Sequence, residues 1–254
     1  MSFGYTGIRN ERQWKATTGM SQTKFLELSQ AFGQAFEGIY GCSIQERQSN
    51  SSQEATFRSY EEMLFFLLFS LKSGLTYDAL WRYFRLRDGS TAKTNQTNAL
   101  PILKAALSNL GLMPKRSFSS VEDFETYFAQ HDTLLVDGTE QQIQRSKDNS
   151  VQKAHYSGKK SHTAKMLVIS SVARTILYIS RSYVGSAHDF GILKDEFPPE
   201  KRWFARFKIR LDLGFLGFSD LYPCKQLYIP IKKPKKQALP WKPKKKTKHK
   251  HHNG

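Results

Sequence analysis

Apolar side chains recur at helical spacing from residue 21 to 36, at Phe25, Leu26, Leu28, Phe32 and Phe36, with Ser21 or Thr23 placed to cap the segment. The polar stretch 46–56 predicts a loop. Residues 59–71 read as a second helix. Ser59 with Glu62 three places on forms a capping box, and Met63 to Phe69 is apolar on nearly every face, so this helix should lie at the centre of a small helical core. Gly74 breaks it. Thr76 then caps a helix over 77–86 with Leu80, Trp81 and Phe84 inward, and Asp88-Gly89 turns the chain. Ser90 caps a further segment that runs to Leu110 and stops at Gly111; Pro101 within it either kinks it or marks its true start. A short amphipathic helix follows over 118–128.

The period then changes. Leu134-Leu135-Val136 is a short buried strand that delivers Asp137 to its end, with Gly138 at once after it; the plain alternative is an Asp-Gly turn. Residues 140–158 are polar and read as a loop or an edge strand. Runs at 163–171 and 175–183 form a hairpin about Val172-Ala173-Arg174. A helix over 190–196 is stopped by Pro198-Pro199, and a strand over 203–211 ends in Asp212. The first three strands form an antiparallel meander, while the fourth returns through a helix and can lie parallel to the first. Asp137 and Asp212 then stand at the same ends of neighbouring strands, about 5 Å apart, and two carboxylates so placed suit a magnesium ion.

Composition narrows the classes. The chain has 254 residues, enough for one large domain or two small ones, and ordinary apolar content, so a packed core is expected. Its longest apolar run is too short to span a bilayer, and the first residues lack the pattern of a signal peptide. Cys42 and Cys224 imply neither a disulfide framework nor zinc spacing, and a cytoplasmic setting is the default. The net charge of +17 favours a polyanion, nucleic acid first. Eleven lysines and no acid lie between Lys225 and Gly254, so most of that excess belongs to the tail.

Helix, turn, helix with a polar opening is the outline of a helix-turn-helix. Ser90, Thr91, Lys93, Thr94, Asn95 and Gln96 can reach phosphates and base edges; the alternative is the solvated face of a helical bundle.

Taken in order, Val136-Asp137-Gly138-Thr139-Glu140, then 156–165, then Gly185-Ser186-Ala187-His188-Asp189, then Asp212-Leu213-Gly214-Phe215 resemble bacterial insertion-sequence transposases of the DDE superfamily, in the subgroup related to Harbinger elements. The resemblance covers roughly 59–236. It implies an α+β chain: a helical DNA-binding domain over 1–128 with a helix-turn-helix core at 59–111, an incomplete ribonuclease-H-like domain with a mixed sheet over 129–236, and a basic tail over 237–254. It implies cleavage and transfer of duplex DNA at terminal inverted repeats with two Mg²⁺ ions, Mn²⁺ being an acceptable substitute. A homodimer and a bacterial, nucleoid-associated setting are further implications.

Carried over, Asp137 is the first metal ligand. Asp212 is the second, with Asp189 as its competitor; a carboxylate at a helix start can equally be a cap. Lys159, Lys160, His162 and Lys165 would face DNA phosphate, or else form a solvated basic edge. The family's third acid, a glutamate on a later helix, has no counterpart, because no Asp or Glu follows Asp220. The expectation is a truncated reading frame that binds DNA and cleaves it poorly, or a DNA-binding regulator of transposition. A nuclease with another arrangement of acids would have to draw on Glu140, Asp189 or Glu196. The lysine-rich tail is either a DNA-backbone arm or a frame-shifted remnant.

Overall fold

The computed structural model describes residues 3–50 and 56–231. They fall into two compact units, one up to Met113 and one from Pro114 on. The tail 237–254 and the lysines from 232 onward lie outside the described residues.

The first unit is helical: α1 (Glu11–Thr17), α2 (Gln22–Tyr40), α3 (Ile44–Ser49), α4 (Tyr60–Ser73), α5 (Tyr77–Phe84) and α6 (Gly89–Asn109). The apolar run of α4 does form the centre. Leu64, Phe65, Phe66 and Leu67 are each at most 1% exposed, and Phe25, Phe32, Leu80, Ala99 and Ile102 from α2, α5 and α6 close around them. Ser59 caps α4 by accepting from the Glu62 amide, but the Glu62 carboxylate accepts from the Arg58 amide, so only half of the expected box forms. A complete box stands instead at α3, where Ser43 and Glu46 satisfy each other's amides. The polar stretch from Glu46 is therefore helical at its start. α6 begins one residue before Ser90, with Asp88 as its cap, and runs through the exposed Pro101.

Residues 114–128 belong to the second unit rather than the first. Lys115 exchanges backbone hydrogen bonds with Leu177 and Ile179, and α7 (Val121–Tyr127) sends Phe124 into the second core together with Phe128. The division thus falls near 113, not 128, because the aromatic residues of this stretch need the sheet to bury them.

The second unit contains β1 (Thr133–Gln142), α8 (Asn149–His155), β2 (Thr163–Ser171), β3 (Ile176–Ile179), β4 (Tyr183–Val184), α9 (Asp189–Glu196), β5 (Lys208–Arg210), α10 (Phe218–Leu221) and β6 (Gln226–Tyr228). Among the described residues they make one mixed sheet in the order β3-β2-β1-β5-β6, with β4 also on β2. β1 is antiparallel to β2 and parallel to β5, as the meander and return connection required. β1 does not stop at Asp137. It pairs with β2 without a break to Gln142↔Thr163, so the Asp-Gly step is neither the strand end nor a turn.

The strand expected at 203–211 shrinks to β5. Trp203, Phe204 and Phe207 are buried in turns that fill the core, a role their apolar run does not distinguish from a strand.

Candidate active site

The parallel register fixes the first two acids. Leu135 pairs with Arg210, and Asp137 and Asp212 each follow their partner of that pair by two residues. Asp137 continues β1, whereas β5 ends at Arg210 and Asp212 lies just beyond it in extended backbone, near enough for its charge to act on Asp137. Asp212 is the cap of the turn Leu213–Phe215, with its Oδ1 accepting from the Gly214 amide at 2.8 Å. Asp137 Oδ1 accepts from the Gly138 amide at 2.8 Å.

Asp189 joins them from α9. A β-carbon on Gly138 would stand 2.6 Å from Asp189 Oδ1. One on Gly214 would stand 3.0 Å from Asp212 Oδ1 and 3.2 Å from Asp189 Oδ2. Three of the sequence motifs therefore interlock: the glycines after Asp137 and Asp212 leave the space into which Asp189 is pressed. Gly185 serves the same assembly, since a β-carbon there would lie 2.4 Å from the His155 carbonyl oxygen and 2.5 Å from that of Thr163. The backbone after β4 can pass only as glycine, and four residues later it delivers Asp189.

Charge follows from this crowding. Partial burial raises the Asp137 carboxyl above its ordinary value; the amide of Gly138 works against that, and the charges of Asp212 and Asp189 add to the rise while Lys159 opposes it. Lys165 answers Asp189. Its ammonium is 3.2 Å from Asp189 Oδ1 and 3.8 Å from Glu140 Oε1, and it donates to the Ala187 carbonyl at 2.8 Å. With its side chain only 13% exposed, Lys165 is engaged inside the protein rather than turned toward an external phosphate. Lys159 pairs with Glu140 at 3.3 Å but remains largely exposed. Burial pushes the Glu140 carboxyl up, yet Lys159 and Lys165 outweigh it and hold the group below its ordinary range. Lys160 is exposed with a left-handed backbone, and His162 sits half-buried with its ring 5.5 Å from that of Tyr156. Glu196 lies apart from these acids: it accepts from the hydroxyls of Tyr178 and Tyr183.

In the first unit, Ser90, Lys93 and Thr94 are exposed on α6. Gln96 is spent internally, donating to Ser70 Oγ and accepting from the Tyr77 hydroxyl, and it ties α4 and α5 to α6. Thr91 donates its hydroxyl to Asp88, and Asn95 donates to the Thr91 carbonyl.

As placed, no three histidine, cysteine, aspartate or glutamate side chains converge closely enough to hold a metal ion among the described residues. The donor chemistry nonetheless suits a hard divalent cation, because Asp137 and Asp212 are neighbouring oxygen donors whose charges act on each other. Asp189 already has its counter-ion in Lys165.

Residues 136–252 match the family model of the DDE superfamily endonucleases. The C-terminal part of the chain is thus of the DDE transposase type, in keeping with the ordered motifs. No curated protein and no solved structure gives a match. Among the described residues no helix is long and apolar enough to cross a membrane.

Proposed function

We propose that this chain acts in DNA transposition as a Harbinger-related insertion-sequence transposase, with a helix-turn-helix over α5 and α6 and a ribonuclease-H-like sheet carrying the acids. The observation that carries the reading is that Asp137 on β1 and Asp212, two residues beyond the end of the parallel β5, lie near enough for their charges to interact, with Asp189 packed against both glycines. A Mg²⁺ or Mn²⁺ ion held by these carboxylates would supply Lewis-acid polarisation of a phosphodiester and a more acidic bound water. The protein's own part is to hold the two exposed carboxylates on a rigid edge. Lys165 fixes Asp189 beside them, and Lys159 offers a cation at the rim for a phosphate. The substrate is duplex DNA at the element's inverted repeats, and the setting is the bacterial nucleoid, with a homodimer bringing two ends together.

As placed, no third acid converges on Asp137 and Asp212 among the described residues, so on this reading DNA binding is stronger than cleavage. The competing reading, a regulator without catalysis, draws on the same fact. Purified chain is incubated with a duplex carrying the repeats that flank its gene, with EDTA or Mg²⁺. Binding without cation and slow cleavage with it, abolished by Asp137→Asn or Asp212→Asn, supports the transposase reading. Binding with no cleavage at any cation concentration leaves the regulator, and rapid cleavage that survives both substitutions sinks the assignment of the acids.

A further inference from the structure

Beside the start of α6 lies an open groove of about 890 Å³ whose lining includes Arg58, Arg85, Arg87, Ser90 and Thr94. Three guanidinium-bearing residues and no acid line it. The amino end of α6 is not the attraction, because Asp88 already caps it. The arginines are.

Arg87 is 84% exposed and its contact with Asp88 is a surface ion pair, which is worth little and can be exchanged for a phosphate. Arg85 is more telling. It ends α5 in the left-handed region at φ 52°, with the next amide, that of Leu86, bonding back to the Trp81 carbonyl at 2.9 Å. That is the position where a helix favours glycine, since any β-carbon is strained there. An arginine at that place costs the fold something and presents a planar cation to the groove. Ser90 and Thr94, and Thr91 and Asn95, are spaced by four on α6, so hydroxyl and amide groups line the same wall.

We propose that this groove seats a phosphodiester strand of duplex DNA, with Arg85 and Arg87 as bidentate phosphate ligands and the Ser90–Thr94 wall set toward the adjacent bases. The inference rests on the DNA-binding part of the proposed function and not on its metal chemistry.

The test uses the full chain in EDTA and a fluorescent 40-base-pair duplex of about that length, with affinity followed over a range of salt concentrations. Arg85→Gly is compared with Arg87→Ala, with the double variant, and with Lys24→Ala/Lys104→Ala, which removes two exposed lysines of the same unit that do not line the groove. Each lost phosphate contact lowers the slope of log K against log salt by about 0.9. The double arginine variant should therefore lose about 2 in slope and roughly tenfold or more in affinity, well beyond the lysine control. The lysine-rich tail contributes equally to every variant. Arg85→Gly should also keep or raise Tm while it weakens binding, an opposition that mere misfolding would not give. If wild type binds with a slope that neither arginine change moves more than the lysine control does, the groove assignment is overturned. If wild type fails to bind duplex DNA at all, the DNA-binding reading falls with it. Cleavage is not measured here, so failure of the metal site leaves this result standing.

Discussion

Replacing Asp137 by Asn should make the second unit more stable at neutral pH and deaf to magnesium. Burial raises the Asp137 carboxyl, Asp212 and Asp189 raise it further, and the Gly138 amide and Lys159 only partly offset them. Two like charges in close proximity repel by about 1 kcal/mol in water and several times that in a protein-like medium; Asp137 is only partly shielded from solvent, so the lower figure applies. For a unit of this size about 1 kcal/mol moves Tm by roughly 4 °C. The sign with pH is fixed. A carboxyl raised in the fold contributes stability below its ordinary value of 3.8 that is lost as pH climbs through the folded value. The advantage of Asn should therefore vanish below about pH 3.8 and be full at neutral pH. Magnesium should act on the wild type in the opposite way. At 10 mM, with a dissociation constant of about 1 mM, binding to the folded state adds about 1.4 kcal/mol. Scanning calorimetry in EDTA and in MgCl₂ resolves the transitions of the two units, and the one that responds to magnesium identifies the sheet. A wild type indifferent to magnesium, together with an Asn variant no more stable than wild type at pH 7, would refute a carboxylate cluster that waits for a cation.

Two substitutions probe how the cluster is held. Gly138→Ala places a β-carbon 2.6 Å from Asp189 Oδ1, so the Asp189 carboxylate must shift; the unit should lose about 1–3 kcal/mol, read as a lower denaturant midpoint at unchanged m, and an unaltered midpoint would mean that Asp189 is not pressed there. Lys165→Met removes the cation shared by Asp189 and Glu140 and should cost about 3 kcal/mol, with Asp189→Asn in the same chain restoring part of the loss in a double-mutant cycle; independent, additive effects would show that the pair is not coupled.

Much of the architecture is legible in the periodicity. The apolar stretch 63–69 has no polar face, and only a position at the centre of the helical unit satisfies it. The order of strands and the single return helix give β1 a parallel neighbour, and the pair Leu135↔Arg210 leaves Asp137 and Asp212 each two residues further on. The Ser43-Ile44-Gln45-Glu46 box was equally open to inspection, although the polar residues after it suggest a loop. The bounds of β5 and the whole of β6 are not legible, because three residues carry too little period to distinguish a strand from buried turns. The break between units was hidden for a related reason: 114–128 carries its own amphipathic helix, and nothing local says which core receives Phe124 and Phe128.

The glycines show where pattern reading runs out and why. After Asp137 a glycine looks like a turn, because turns are the commonest local use of that pair. Here the chain goes straight on, and neither Gly138 nor Gly214 has a left-handed backbone; what each provides is room for a carboxylate that arrives from α9. Torsional need leaves traces in nearby sequence, whereas need for space depends on a distant partner, Asp189, visible only when the segments meet. Lys165 poses the same difficulty in charge. In sequence it is one of several lysines near a basic edge; in the fold its amine lies between Asp189 and Glu140 and bonds the Ala187 carbonyl, whereas Lys159 keeps a largely exposed side chain. What separates them is position: Lys159 lies in the turn before β2 and Lys165 on β2 itself. β2 carries Lys165 directly opposite Glu140, and α9 starts where that ammonium can reach it. Pairing Asp189 with Lys165 in this way leaves Asp137 and Asp212 as the two carboxylates that the proposed function assigns to a cation.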